Sequence, residues 1–91
     1  MKVKFFATYR DITGVKETDV STPQDVWELM TLLGERYGPS IRELLFTPDG
    51  ADVGVNAIVL VNGRSITHLR GRDTQLSDSD VVCVFPMVAG G

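Results

Sequence analysis

Few side chains in this sequence could run a reaction by themselves. His68 is the sole histidine, and no nucleophile stands in a recognisable setting around it, so a Ser-His-Asp relay has nothing to recruit. It reads as a surface or turn histidine. Cys83, the one cysteine, sits inside the run Val81-Val82-Cys83-Val84-Phe85 with no basic neighbour in sequence. A buried or half-buried strand cysteine fits that setting better than a reactive thiolate. One histidine and one cysteine are too few for a metal site without carboxylates at ligand spacing, and no metal is expected. Asp78 and Asp80 flank a turn ahead of a strand, where carboxylates commonly cap their own amides. Glycine-rich phosphate loops of the Walker or Rossmann type are absent from the sequence.

The end of the sequence, Pro86-Met87-Val88-Ala89-Gly90-Gly91, is different. Its bland explanation is that frayed termini often hold glycine. Its chemical explanation is more specific. A carboxylate acylates poorly because its leaving group would be oxide or hydroxide. Coupling to ATP makes an acyl-adenylate, from which AMP leaves when a thiol, sulfide or amine attacks the carbonyl. Residues without Cβ let the backbone lie extended in a narrow channel of another enzyme. The candidate reacting group is therefore the carboxylate of Gly91, with Pro86, Met87, Val88, Ala89 and Gly90 as the segment threaded into that enzyme. No cofactor is expected to be bound here; ATP would be used by the partner.

Such a terminus needs a body to present it, and the pattern along the chain describes one. Val3 to Tyr9 is rich in β-branched and aromatic residues and predicts a strand, with Val3, Phe5 and Ala7 on one face and Lys4, Phe6 and Thr8 on the other. Arg10 to Gly14 has turn character, and Val15 to Val20 predicts a second strand closing a hairpin. Ser21-Thr22-Pro23-Gln24-Asp25 predicts a helix start with Thr22 as cap and Pro23 at the first helical position. Val26, Leu29, Met30, Leu33 and Tyr37 then form one apolar helical stripe, stopped by Gly38-Pro39. Ile41 to Phe46 predicts a short second helix, and Thr47 to Gly54 a loop. Asn56 to Val61 predicts a strand running into the hairpin dipeptide Asn62-Gly63, with a return over Arg64 to Leu69. Gly71 to Asp80 is turn-prone, and Val81 to Phe85 predicts a last strand, ended by Pro86.

One main helix must cover one face of a mixed sheet, which is a two-layer α+β architecture. The continuously apolar last strand is placed centrally beside the first. This is the β-grasp arrangement, with residues 1–85 as the domain and 86–91 as a flexible tail. Ninety-one residues bury roughly 60–65% of their unfolded surface, which supports one core but no deep enclosed active site. A formal charge of −3 gives little affinity for phosphate backbones, so no nucleic-acid partner is expected. No segment approaches the ~20 apolar residues of a membrane span, and the start Met-Lys-Val-Lys does not read as a signal peptide. With a single cysteine, a cytoplasmic protein is the simplest expectation.

Phe5-Phe6-Ala7-Thr8-Tyr9-Arg10-Asp11-Ile12-Thr13-Gly14 resembles the opening of MoaD-type ubiquitin-like sulfur carriers. Val61-Asn62-Gly63 resembles their mid-chain turn, and Leu76 to Gly91 their closing strand and tail. The segment Phe46 to Gly54, followed by Val55-Asn56, is similar to small archaeal ubiquitin-like modifiers of the same family. Met87 departs from the pattern, standing where the family often has a second proline. The resemblance implies a β-grasp fold and activation at Gly91 by a ubiquitin-activating-type adenylating enzyme. It implies two fates: a thiocarboxylate that delivers sulfur inside the large subunit of molybdopterin synthase, or an isopeptide bond to a lysine of a target protein. The chain would then be a co-substrate rather than an enzyme, in one form the small subunit of molybdopterin synthase. The resemblance also implies docking through the sheet face opposite the helix. Alternation puts Phe6 there, and Leu60 and Phe85 are its expected companions by analogy with the ubiquitin-like apolar patch. Ordinary strand residues partly covered by neighbours would look the same. The rival from another class is a non-covalent β-grasp binding module whose tail is idle.

Overall fold

Alternating apolar residues on two strands set the middle of the molecule. In the computed structural model, which describes residues 1–87, β1 (Lys2–Phe5) lies parallel to β5 (Val81–Pro86), with Val3 beside Val82 and Phe5 beside Val84. Those four side chains are fully buried. β2 (Glu17–Asp19) flanks β1, while β3 (Ala57–Val61) and β4 (Arg64–Ser65) continue the sheet beyond β5, in the order β2-β1-β5-β3-β4. β5 is thus central beside β1, as its unbroken valine run implies.

The helical layer comprises α1 (Thr8–Thr13), α2 (Val26–Tyr37) and α3 (Pro39–Leu45). Val26, Leu29, Met30 and Leu33 of α2 are wholly buried, together with Ile41 and Leu45 of α3. They meet Val59 and Val61 of β3 in one core cluster. Removing one such leucine to alanine costs about 2–5 kcal/mol, so this stripe carries a large share of the stability. Tyr37 is half-buried at the end of the stripe and meets the Phe5 ring edge-on at 5.6 Å. Gly38, at φ 87°, ends α2 and starts α3, where Pro39 takes the first turn and needs no hydrogen-bonded N–H.

Five local expectations are corrected. The first strand stops at Phe5 rather than Tyr9: Ala7 adopts φ 52°, and Thr8–Thr13 coils into α1, ended by Gly14 at φ 76°. Ala7 is consequently exposed instead of sharing the face of Val3 and Phe5. The gain is the burial of Tyr9, whose hydroxyl donates to the Asn56 carbonyl at 2.7 Å and so ties α1 to the start of β3. Burial pushes the Tyr9 phenol up to about 12.

The cap of α2 is Asp25, not Thr22: its carboxylate accepts from the Glu28 N–H at 2.8 Å. Gln24 and Val26 are held in an extended bridge by Leu76 and Thr74, which delays the helix start. Thr22 instead donates its hydroxyl to the Asp78 carboxylate. The second strand is only Glu17–Asp19, and the return after Asn62-Gly63 pairs over Arg64–Ser65 before Ile66–His68 winds into a 3-10 turn that buries Ile66. Finally, Pro86 is the last paired residue of β5, opposite Ala57. Phe6 N–H donates to the Val84 carbonyl, so by alternation the missing Pro86 N–H points past the end of β1, where nothing needs it.

Candidate docking face and carrier terminus

The helices pack on one side of the sheet, and the strands' alternate side chains therefore face the other side, where they are partly exposed among the described residues. Phe6, immediately after β1, and Phe85 of β5 lie on that side. Their rings stack with centroids 4.2 Å apart and planes 8° from parallel. Leu60 of β3 is in register with Cys83, one row along, and Ile58 is in register with Phe85. All five are partly exposed. The three residues expected on one face, Phe6, Leu60 and Phe85, are thus brought to the same face of the sheet.

Ile58 and Cys83 complete this patch, although the sequence reading did not place them in it. The signal was available, since period-two alternation from Leu60 and Phe85 reaches both. Cys83 has a basic neighbour after all, because Lys4 is its register partner across β1 and β5. Arg10, on α1, carries its guanidinium 5.8 Å from the Phe6 ring centroid.

The strand that carries Phe85 ends at Pro86 and is followed by Met87, the last described residue. Pro86 is half-buried and Met87 is 55% exposed. The other residues assigned to the reacting segment, Val88, Ala89, Gly90 and Gly91, lie outside the described residues.

Of the remaining titratable candidates, Asp78 and Asp80 have structural partners. Asp80 accepts from the Asn62 amide and from the Ser77 N–H, both at 2.8 Å, and these hydrogen bonds, Asn62 first, hold its carboxyl below the usual range. Asn62 in turn accepts from the Val81 N–H, so this cluster pins the β3–β4 turn to the start of β5. His68 is exposed in its 3-10 turn. Among the described residues no three His, Cys, Asp or Glu side chains gather at ligand distance, and no helix is long and apolar enough to cross a membrane. A groove of about 700 Å³ opens elsewhere, beside α2 and the 46–56 loop, over Trp27, Phe46 and Val55. It contains Arg42 and Glu43 with the hydroxyls of Thr31 and Thr47, and it does not include the Phe6–Phe85 patch.

Comparison with known proteins agrees with this geometry. The model of the ThiS family matches residues 3–91. The chain is 36% identical to small archaeal modifier protein 3 of Haloferax volcanii over 93 aligned positions, covering 100% of this chain and 98% of that protein. The solution structure of small archaeal modifier protein 1 from Methanosarcina acetivorans superposes with a TM-score of 0.87 at 32% identity, covering 99% of this chain and 94% of that one. A putative molybdopterin converting factor subunit 1 from Pyrococcus furiosus superposes with a TM-score of 0.75 at 32% identity, covering 96% and 95%. A β-grasp sheet with a stacked, partly exposed aromatic pair on its outer face, and a family match over residues 3–91, make this chain a member of the ThiS family of small ubiquitin-like carrier and modifier proteins.

Proposed function

We propose that the Gly91 carboxylate is the working group, activated as an acyl-adenylate by a ubiquitin-activating-type enzyme that docks on the Phe6–Phe85 face. The carboxylate attacks the α-phosphorus of ATP and pyrophosphate leaves. A lysine amine then displaces AMP to form an isopeptide bond, or a sulfide displaces AMP to leave a thiocarboxylate. One activated terminus serves both fates, which matches similarity to a modifier and to a molybdopterin converting factor subunit alike. The acceptors are accordingly lysines of target proteins or, for sulfur, a molybdopterin precursor held in the large subunit of a molybdopterin synthase. The protein is a co-substrate, and ATP is bound and used by its partner.

One observation carries this reading: Phe85, partly exposed and stacked on Phe6, is on the strand that leads directly into Pro86 and Met87. An enzyme gripping that face is positioned to receive the segment that follows. The test is mass spectrometry of the chain from its native host. A thiocarboxylate adds the mass difference between sulfur and oxygen, localised to Gly91 by fragmentation. Conjugates need a deliberate cleavage, because the last basic residue is Arg72 and trypsin would leave all of Asp73 to Gly91 on the lysine. Cyanogen bromide cuts after Met87 and leaves Val-Ala-Gly-Gly on the target. Absence of both products, with activity surviving removal of Gly90 and Gly91, would replace this reading by a binding module with an idle tail.

A further inference from the structure

The chain has a net charge of −3, yet the unpaired charges beside its aromatic patch are positive. On the outer face of β1, Lys2 is neutralised by Glu17, its ammonium 3.0 Å from that carboxylate. Asp19, the other acidic residue of β2, is in register with Lys2 as well. Lys4 is the strand-pair partner of Glu17, but the ion pair goes to Lys2 and leaves Lys4 without a carboxylate among the described residues. Arg10 is likewise without an ion pair, although Asp11 follows it in α1. Lys4 stands beside Cys83 and Arg10 stands over Phe6. Among the described residues, two cations without an ion pair therefore flank the patch.

We infer that the activating enzyme meets Lys4 and Arg10 with carboxylates of its own, set around an apolar centre that receives Phe6, Phe85 and Leu60. This rests on the reading that Gly91 is adenylated by a docking enzyme, and it specifies the chemistry of that enzyme's surface. The two cations do different work from the rings. Rim charges steer encounter and fix orientation, whereas the aromatic pair supplies the desolvated contact. An acidic partner would otherwise be repelled by this chain, so the location of the two cations also selects which face it approaches.

The test is ATP–pyrophosphate exchange by the adenylating enzyme of the same organism, driven by the full-length chain at a range of salt concentrations. K4E and R10E should each raise the chain concentration for half-maximal exchange roughly three- to ten-fold at low salt, within the range of exposed charge pairs with added repulsion. R70E makes the same change of net charge at an exposed position outside the face and should stay within about two-fold of the unaltered chain. For that unaltered chain the half-maximal concentration should rise with salt, and in the K4E/R10E double variant that rise should vanish or reverse. Thermal melts establish that each variant is folded, and K4M with R10M stand in should a reversal unfold the chain. Reversals that leave both the half-maximal concentration and its salt dependence unchanged would overturn the inference while leaving adenylation intact. An unaltered chain that drives no exchange at all would overturn both this inference and the function it rests on.

Discussion

Truncating the aromatic stack separates what the outer face does for folding from what it does for activation. Phe6 and Phe85 are each only partly covered, so either alanine variant should cost less than the ~3–5 kcal/mol of a fully buried phenylalanine, about 2 kcal/mol. Rings stacked at 4.2 Å and 8° contribute about 1 kcal/mol beyond area burial. The F6A/F85A double variant should therefore lose less than the sum of its singles by about that amount. With about 4–8 °C of melting temperature per kcal/mol for a domain of this size, each single variant should melt roughly 10 °C lower. Denaturant titration of all four chains yields the cycle. In parallel, kcat/KM for adenylation is measured well below the melting range, where folded fractions are equal. An aromatic anchor at an interface is worth about 2 kcal/mol or more, so each single should fall about 30-fold in kcat/KM. Strict additivity in the denaturant cycle would refute the energetic role of the stack. Unchanged kcat/KM in chains that are nonetheless destabilised would refute the docking role and leave the rings as structure only.

Three further outcomes follow from single atoms. Gly54→Ala places a Cβ 2.8 Å from the Phe46 carbonyl oxygen and 3.0 Å from its carbon; backbone must shift, and denaturant titration should show a loss of about 1–3 kcal/mol. Tyr9→Phe removes the hydroxyl that donates to Asn56, costing about 1 kcal/mol at neutral pH. Because the folded phenol is raised to about 12, stability should be constant below the ordinary tyrosine range and decline as pH rises from there toward 12. Tyr9→Phe should lack that component of the decline in alkaline melts. Asp80 is shifted the other way, so its contribution is present above the ordinary carboxylate range and lost as pH falls through its folded pKa; Asp80→Asn should melt less steeply on acidification, and an unaltered acid limb would refute the Asn62–Asp80 clamp.

Periodicity explains what was legible in the sequence. The stripe Val26, Leu29, Met30, Leu33 is buried in full, and the valine run of β5 is central, because burial selects side chains by face and face is a periodic property. Phe6, Leu60 and Phe85 share the outer face for the same reason. What failed was set by contacts distant in sequence. Val3 to Tyr9 has the composition of one strand, but a ring at position 9 can reach the Asn56 carbonyl only if the chain turns at Ala7. Thr22 and Asp25 are both good caps, and the choice between them is made by Thr74 and Leu76, some fifty residues away. Lys4 was visible as an outward residue, yet its freedom from a carboxylate depends on Glu17 choosing Lys2 instead. No local pattern records that choice.

The division of labour between the two faces follows from size. A chain this small has one core to build, and it builds it on one side of the sheet, from α2, α3 and the inward residues of β1, β3 and β5. An enclosed site that shields an acyl-adenylate from water needs more chain than is left over. On the function proposed above, the reactive group is kept on a terminus and lent to a larger protein's cavity. That places two demands on the uncovered face: it must be apolar enough to bind, and charged enough at its border to bind in one orientation. Phe6 and Phe85 with Leu60 meet the first, Lys4 and Arg10 the second, and β5 joins them to the residues that lead to Gly91. Moving either cation to an exposed position of α2 should leave folding unchanged and cost activation alone.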